Sequence, residues 1–251
     1  LAGDGRAPAE RERLVTLMEL LADLPAPPDP LALFPRYEML RRHLIHEIES
    51  GTDEDALEQA FLELYCHLHG HEAPYTATER RRVDQTGGYW AHAGGLAPVL
   101  KAPDWITPAT RSADFGAGNG LQLLLVQRLA PHATTVQIEI SSAMCEVGRE
   151  LQHWLGVPRE RVEWRCADVT TESPTGYDFI YLYRPVRPAG AGAAFYQRFA
   201  GELRLGAPDE VVVFSIADCL DDYRGSAVER FYFDGHLACF RRSAIVGAGR
   251  V

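Results

Sequence analysis

A chain of 251 residues, 46% of them hydrophobic and 24% charged, has room for one large α/β domain and a small helical annex around a sizeable buried core. Its formal charge of −10 makes nucleic acid an unlikely partner and opposes contact with an anionic membrane, since both need clustered basic side chains, although a local basic groove is still compatible with it. The five cysteines are scattered and never form a C-x-x-C pair, so they indicate neither a disulfide framework nor a thiolate zinc site and fit a reducing cytoplasm.

No apolar run approaches the ~18 residues of a membrane span, and Leu1 to Glu10 lacks the apolar core of a signal peptide. From Ala9 to Leu24, Leu14, Leu17, Met18, Leu20 and Leu21 recur at helical spacing, and the prolines at 25, 27, 28 and 30 then break the chain. The pattern predicts a second helix over Leu31 to Glu49, kinked near Pro35 and ended by Gly51. A third should start at the signal Thr52-x-x-Asp55 and run to about His69. Thr76-x-x-Glu79 signals a short fourth helix through Val83. Residues 1–85 are therefore expected to form a helical annex, and residues 86–251 the main α/β domain. His43 and His46 lie one helical turn apart, and Cys66, His67, His69 and His71 crowd the end of helix three. This invites a metal reading, but the spacing matches no zinc-protease helix, and no metal ligand set is assigned.

Gly87-Gly88-Tyr89-Trp90-Ala91-His92-Ala93-Gly94-Gly95 follows. It reads either as a bending loop that presents aromatic and imidazole groups, or as a plain hinge with Tyr89 and Trp90 plugging a joint. Beyond it the chain alternates as a doubly wound, mostly parallel sheet does. Strand one should end at Asp114, with a helix over Leu121 to Leu129. Strand two covers 136–139, followed by a helix over 142–155. Strands three, four and five cover 162–166, 177–183 and 210–216. Val228 to Phe233 and His236 to Arg242 then form a hairpin on the turn Asp234-Gly235.

The organising stretch is Asp114-Phe115-Gly116-Ala117-Gly118-Asn119-Gly120. Glycines at alternate positions between a strand and a helix let the backbone approach a nucleotide-like ligand, and the amides can hold an anionic group such as a carboxylate. The spacing is G-x-G-x-G, not the G-x-G-x-x-G of a dinucleotide site. Three acids fall at the ends of the first three strands, where an open parallel sheet binds its ligand. Asp114 favours an ammonium, Glu139 can accept from a ribose diol, and Asp168 can accept from the exocyclic amine of adenine, with Val169 as an apolar wall.

This combination resembles the class I S-adenosylmethionine-dependent methyltransferases over roughly residues 86–242. The resemblance implies a seven-stranded, mostly parallel Rossmann-like sheet closed by one antiparallel strand. It also implies S-adenosylmethionine as cofactor, with Asp114, Gly116, Gly118, Asn119 and Gly120 at its methionine end, Glu139 at the ribose, and Asp168 with Val169 at adenine. The loop after strand four borders the reacting methyl in that family. Here it reads Tyr183-Arg184-Pro185-Val186-Arg187-Pro188, unlike the Asn/Asp-Pro-Pro-aromatic loop of enzymes that methylate base amines. Tyr183 is expected to orient the acceptor or the sulfonium. Arg184 either holds an anionic part of the acceptor or belongs to a surface ion pair. If 87–95 is a lid, Trp90 lies against the acceptor and His92 is the candidate proton acceptor. The first expectation is a methyltransferase acting on a small molecule in the cytoplasm. A protein or RNA methyltransferase, or a non-catalytic cofactor-binding scaffold, stands as the alternative.

Overall fold

The structure, a computed structural model, describes residues 7–51, 53–70, 74–88, 95–206, 210–216 and 220–242. Helix α1 (Pro8–Asp23) opens on a proline, whose missing N–H leaves no donor unpaired at that position, and buries Leu14, Leu17, Met18 and Leu21. Helix α2 (Tyr37–Ser50) starts six residues later than its apolar pattern predicts. The cause is local: the Asp29 carboxylate accepts from the amides of Leu33 and Phe34 at 2.6 and 2.7 Å, folding that stretch into a turn before Pro35. Helix α3 (Glu54–His69) is capped by Asp53, which accepts from the amides of Asp55 and Ala56; the expected Thr52 cap lies outside the described residues. Helix α4 (Ala77–Thr86) has the predicted capping box, with Thr76 and Glu79 each bonded to the other's amide.

A short helix α5 (Ala97–Lys101) leads into the sheet. Strand β1 (Arg111–Phe115) is followed by α6 (Leu121–Leu129), β2 (Thr134–Glu139), α7 (Ser142–Trp154), β3 (Val162–Cys166), β4 (Phe179–Leu182), α8 (Ala191–Gly206), β5 (Val212–Ile216), β6 (Val228–Phe233) and β7 (Leu237–Arg242). The seven strands lie in the order β3-β2-β1-β4-β5-β7-β6, with β7 antiparallel to both neighbours. This is the doubly wound, mostly parallel seven-stranded sheet expected from the sequence. Strand β1 runs one residue past Asp114, while β4 and β5 are shorter than predicted. The hairpin turn is shifted by one residue: Gly235 and His236 occupy its centre. Asp234 precedes them and accepts from the amides of His236 and Leu237 at 2.9 and 2.8 Å. Gly235, at φ 95°, supplies the left-handed first position of a II′-type turn.

Each sheet face has its own core. On one, Ala113, Phe115, Ile138, Ile180 and Phe240 pack with Phe195 and Phe199 of α8. On the other, Phe179, Tyr181 and Phe214 join Leu124 of α6 in a single apolar cluster that continues into the annex through Leu17, Leu44, Phe61 and Leu64. A buried leucine or phenylalanine contributes about 1.5–3 kcal/mol, so the annex and this face of the sheet stabilise each other.

Candidate functional site

A cleft partly open to solvent lies over the carboxyl ends of β1 to β4 and brings together the glycine loop, Asp114, Glu139, Asp168, Val169, Tyr183 and Arg184. This is where the topology reverses direction and an open α/β sheet leaves a crevice. The loop folds back as β1 ends. The amides of Gly116 and Ala117 both donate to the Ile138 carbonyl, at 3.0 and 2.9 Å. Two positions require glycine on steric grounds. At Gly116 (φ 89°) a Cβ would sit 2.7 Å from Pro185 Cβ, and at Gly120 (φ 69°) it would sit 2.6 Å from the Trp164 ring.

The three acids differ in their bonding. Glu139 is buried and already grips the loop: one oxygen accepts from the Gly118 amide and the other from the Ser141 amide, both at 2.8 Å. Burial raises its carboxyl above the ordinary range, and these amides oppose the rise. Asp168 caps the short turn after β3, accepting from the amide and hydroxyl of Thr170 at 2.8 Å, while its second oxygen accepts from Arg82 Nε at 2.5 Å. Asp114, 2% exposed, has one oxygen that meets no hydrogen-bond donor among the described residues. Burial, and then the Glu139 charge, push its carboxyl well above the usual carboxylate range. Beside it on β4, register partner Tyr181 holds a buried hydroxyl near Gln122 without a well-formed hydrogen bond among the described residues.

Tyr183 lies 9% exposed on the cleft wall, its ring stacked on Tyr181 with centroids 6.1 Å apart. Burial pushes its phenol up to about 12. Arg184 has φ 44°, a left-handed conformation, directly before Pro185, where proline already restricts the backbone; strain of this kind concentrates at ligand sites. Trp90 and His92 lie outside the described residues. Both ends of their segment are anchored at the cleft. Gly87 caps α4 and accepts from the Arg187 amide at 2.7 Å, and Gly88 bridges to Val186. The Gly95 carbonyl accepts from the Tyr65 hydroxyl and the Gln122 amide.

Sequence reasoning missed the part played by α4. Glu79, expected only as a capping residue, also accepts from the Ser142 amide and hydroxyl at 2.9 and 2.8 Å, so it caps α7 as well as α4. With Arg82 on Asp168 and Gly87 on Arg187, α4 forms a strap across the ends of β2, β3 and β4, and Val83 and Thr86 line the cleft beneath it. The annex histidines have local roles: His43 lies 3.6 Å from Glu47, His67 accepts from the Arg36 amide, and His69 stacks on Tyr65 at the cleft wall. His71 lies outside the described residues.

The chain matches no family model and no curated protein. Among solved structures it is similar to an RNA methyltransferase from Salinibacter ruber in complex with S-adenosyl-L-homocysteine, at 19% identity over 59% of this chain and 89% of that one, with a TM-score of 0.46. A putative methyltransferase, yhhF, from Escherichia coli is 13% identical over 68% of this chain and 92% of that one, with a TM-score of 0.44. TrmN from Thermus thermophilus is 16% identical over 59% of this chain and 48% of that one, with a TM-score of 0.45. These likenesses are partial.

Proposed function

We propose that the protein is an S-adenosylmethionine-dependent methyltransferase that acts on a small molecule. The observation that carries this reading is Asp114: a buried carboxylate with an oxygen that meets no donor among the described residues, beside a glycine cradle and two further strand-end acids in one cleft. The donor set fits the cofactor. Asp114 would take its ammonium, the loop amides its carboxylate, Glu139 the ribose hydroxyls, and Asp168 with Val169 the adenine. When bound, the cofactor supplies an electrophilic methyl group on a sulfonium.

The protein's part is alignment and the placing of charge. Asp114 and Glu139 concentrate negative potential where a cationic ligand sits, and the ligand's charge in turn favours their ionised forms. With its phenol raised to about 12, Tyr183 stays protonated at neutral pH, so it orients the acceptor by donating a hydrogen bond and does not take its proton. Arg184 offers a guanidinium to an anionic part of the acceptor. The sequence assigns Trp90 to the acceptor and His92 to its proton, and both fall outside the described residues. Helices α3 and α4 act as a cap that excludes water from the acceptor side.

Calorimetry with S-adenosylhomocysteine tests the cofactor assignment, and absence of binding sinks it. Mass spectrometry of metabolite, RNA and protein fractions incubated with methyl-labelled cofactor then tests the acceptor class. Label confined to RNA or protein overturns the small-molecule reading.

A further inference from the structure

Behind the nucleoside side of the cleft, two thiols face each other. Cys145, in the first turns of α7, and Cys166, the last residue of β3, hold their sulfurs 3.1 Å apart, closer than two non-bonded sulfurs normally sit. Register places Cys166 opposite Glu139, and Cys145 Sγ lies 3.6 Å from the Glu139 carbonyl oxygen. Met144, next to Cys145, and Asp168, two residues after Cys166, line the cleft. Cys166 is exposed and Cys145 buried, and methyl transfer uses neither.

We propose that Cys145 and Cys166 are an oxidation site, at which a peroxide forms a disulfide that distorts the nucleoside wall and weakens cofactor binding. The coupling to binding rests on the methyltransferase reading; the site itself does not. Cys166 meets the oxidant first because it is exposed. Its thiolate attacks a peroxide oxygen, the O–O bond breaks, and hydroxide leaves a sulfenic acid on Cys166. The Cys145 thiolate then displaces hydroxide from that sulfur. In balance, two thiols and one hydrogen peroxide give one disulfide and two waters. Burial and the neighbouring Cys166 raise the Cys145 thiol, which disfavours its attack on peroxide, and its place 3.1 Å from Cys166 Sγ is what fits it to the second step. Bond formation draws the sulfurs together to about 2.05 Å. That movement acts on the strand end that leads directly into Ala167 and Asp168, and on the helix that starts next to Glu139.

The test is treatment of the intact protein with one equivalent of hydrogen peroxide, followed by mass spectrometry without reductant. The expected result is a loss of about 2 Da and a peptide joined through Cys145 and Cys166, absent in both Cys145→Ser and Cys166→Ser. The oxidised protein should bind S-adenosylhomocysteine at least about fivefold more weakly, with dithiothreitol restoring affinity. Oxygen added to Cys166 without a crosslink, or a crosslink between chains through Cys66, overturns the site. A crosslinked protein with unchanged affinity overturns the coupling. If the reduced protein binds no S-adenosylhomocysteine, the methyltransferase reading and the coupling both fall, and the crosslink is then judged by mass alone.

Discussion

The two halves of the cleft are built from different materials. The half proposed for the cofactor consists of main chain and strand ends: a loop whose amides bond to Ile138 and Glu139, and acids that directly end or follow β2 and β3. The half proposed for the acceptor consists of side chains brought from distant parts of the chain, with His69 of α3 and Thr86 of α4 lining it together with Tyr183 and Arg184 after β4. A binding site made of backbone tolerates little change in shape, whereas one made of side chains can be respecified without disturbing the fold. Substitutions in the first half should therefore act on cofactor affinity, and those in the second should leave it nearly intact.

The largest effect is expected for Gly116→Ala, which forces a Cβ against Pro185 at a backbone angle that disfavours alanine. S-adenosylhomocysteine affinity measured by calorimetry should fall at least about 100-fold, some 2.7 kcal/mol. Glu139→Ala comes next, because it removes the acceptor of two amides as well as a ribose ligand. With charged hydrogen bonds at about 1.5–3 kcal/mol each, binding should weaken roughly 10- to 100-fold, and the thermal midpoint should drop.

Asp114→Asn separates binding from stability. A carboxyl raised above its unfolded value contributes stability below that value, near ~3.9, and the contribution is lost as pH rises through the folded pKa. At neutral pH the ligand-free asparagine variant should therefore melt a few degrees above wild type, by about 2–4 °C, while binding S-adenosylhomocysteine about tenfold more weakly. The difference in midpoint should shrink on acidification towards pH ~4, and a lower midpoint at pH 7 would contradict the burial argument.

Arg82→Ala releases Asp168 from the strap. The ion pair is half exposed, so the change should be small, a two- to fivefold gain in affinity of about 0.4–1 kcal/mol, and the gain should disappear in an Asp168→Asn background. Smallest of all, Tyr183→Phe and Arg184→Ala should shift cofactor affinity by no more than about threefold, or 0.7 kcal/mol. A tenfold loss in either would show that the two halves are not separable.

The same contrast governs what could be read from the sequence. The glycine loop, the strand-end acids and the succession of strands and helices were legible because each depends on short-range spacing along the chain. The start of α2 was not, since apolar periodicity continues through residues 31–36 while Asp29 binds the amides that a helix would need. Nor was the strap: Arg82 and Asp168 are separated by 86 positions, and nothing near either one indicates the other. The second oxygen of Glu79 was hidden behind its first, because a capping box accounts for the residue without recourse to Ser142. At Glu139 the spacing pointed to a ligand role but gave no sign that the carboxylate also holds the loop.

The contacts between annex and glycine loop bear on how the chain is made. Asn119 donates to the Leu68 carbonyl at 2.7 Å, Gln122 donates to the Tyr65 hydroxyl at 3.1 Å, and Ser141 donates to the Pro74 carbonyl at 3.0 Å. During synthesis the annex leaves the ribosome first, yet these groups find their partners only when residues 50 or more positions later emerge. Helices α1 to α3 can form early, but their inner face has nothing to close on until α6 arrives, and the end of α3 is held in place by the loop that it helps to shape. A nascent chain stalled before α6 would therefore present an unsealed apolar surface, and α6, entered through the glycine loop, would be the element whose arrival closes it.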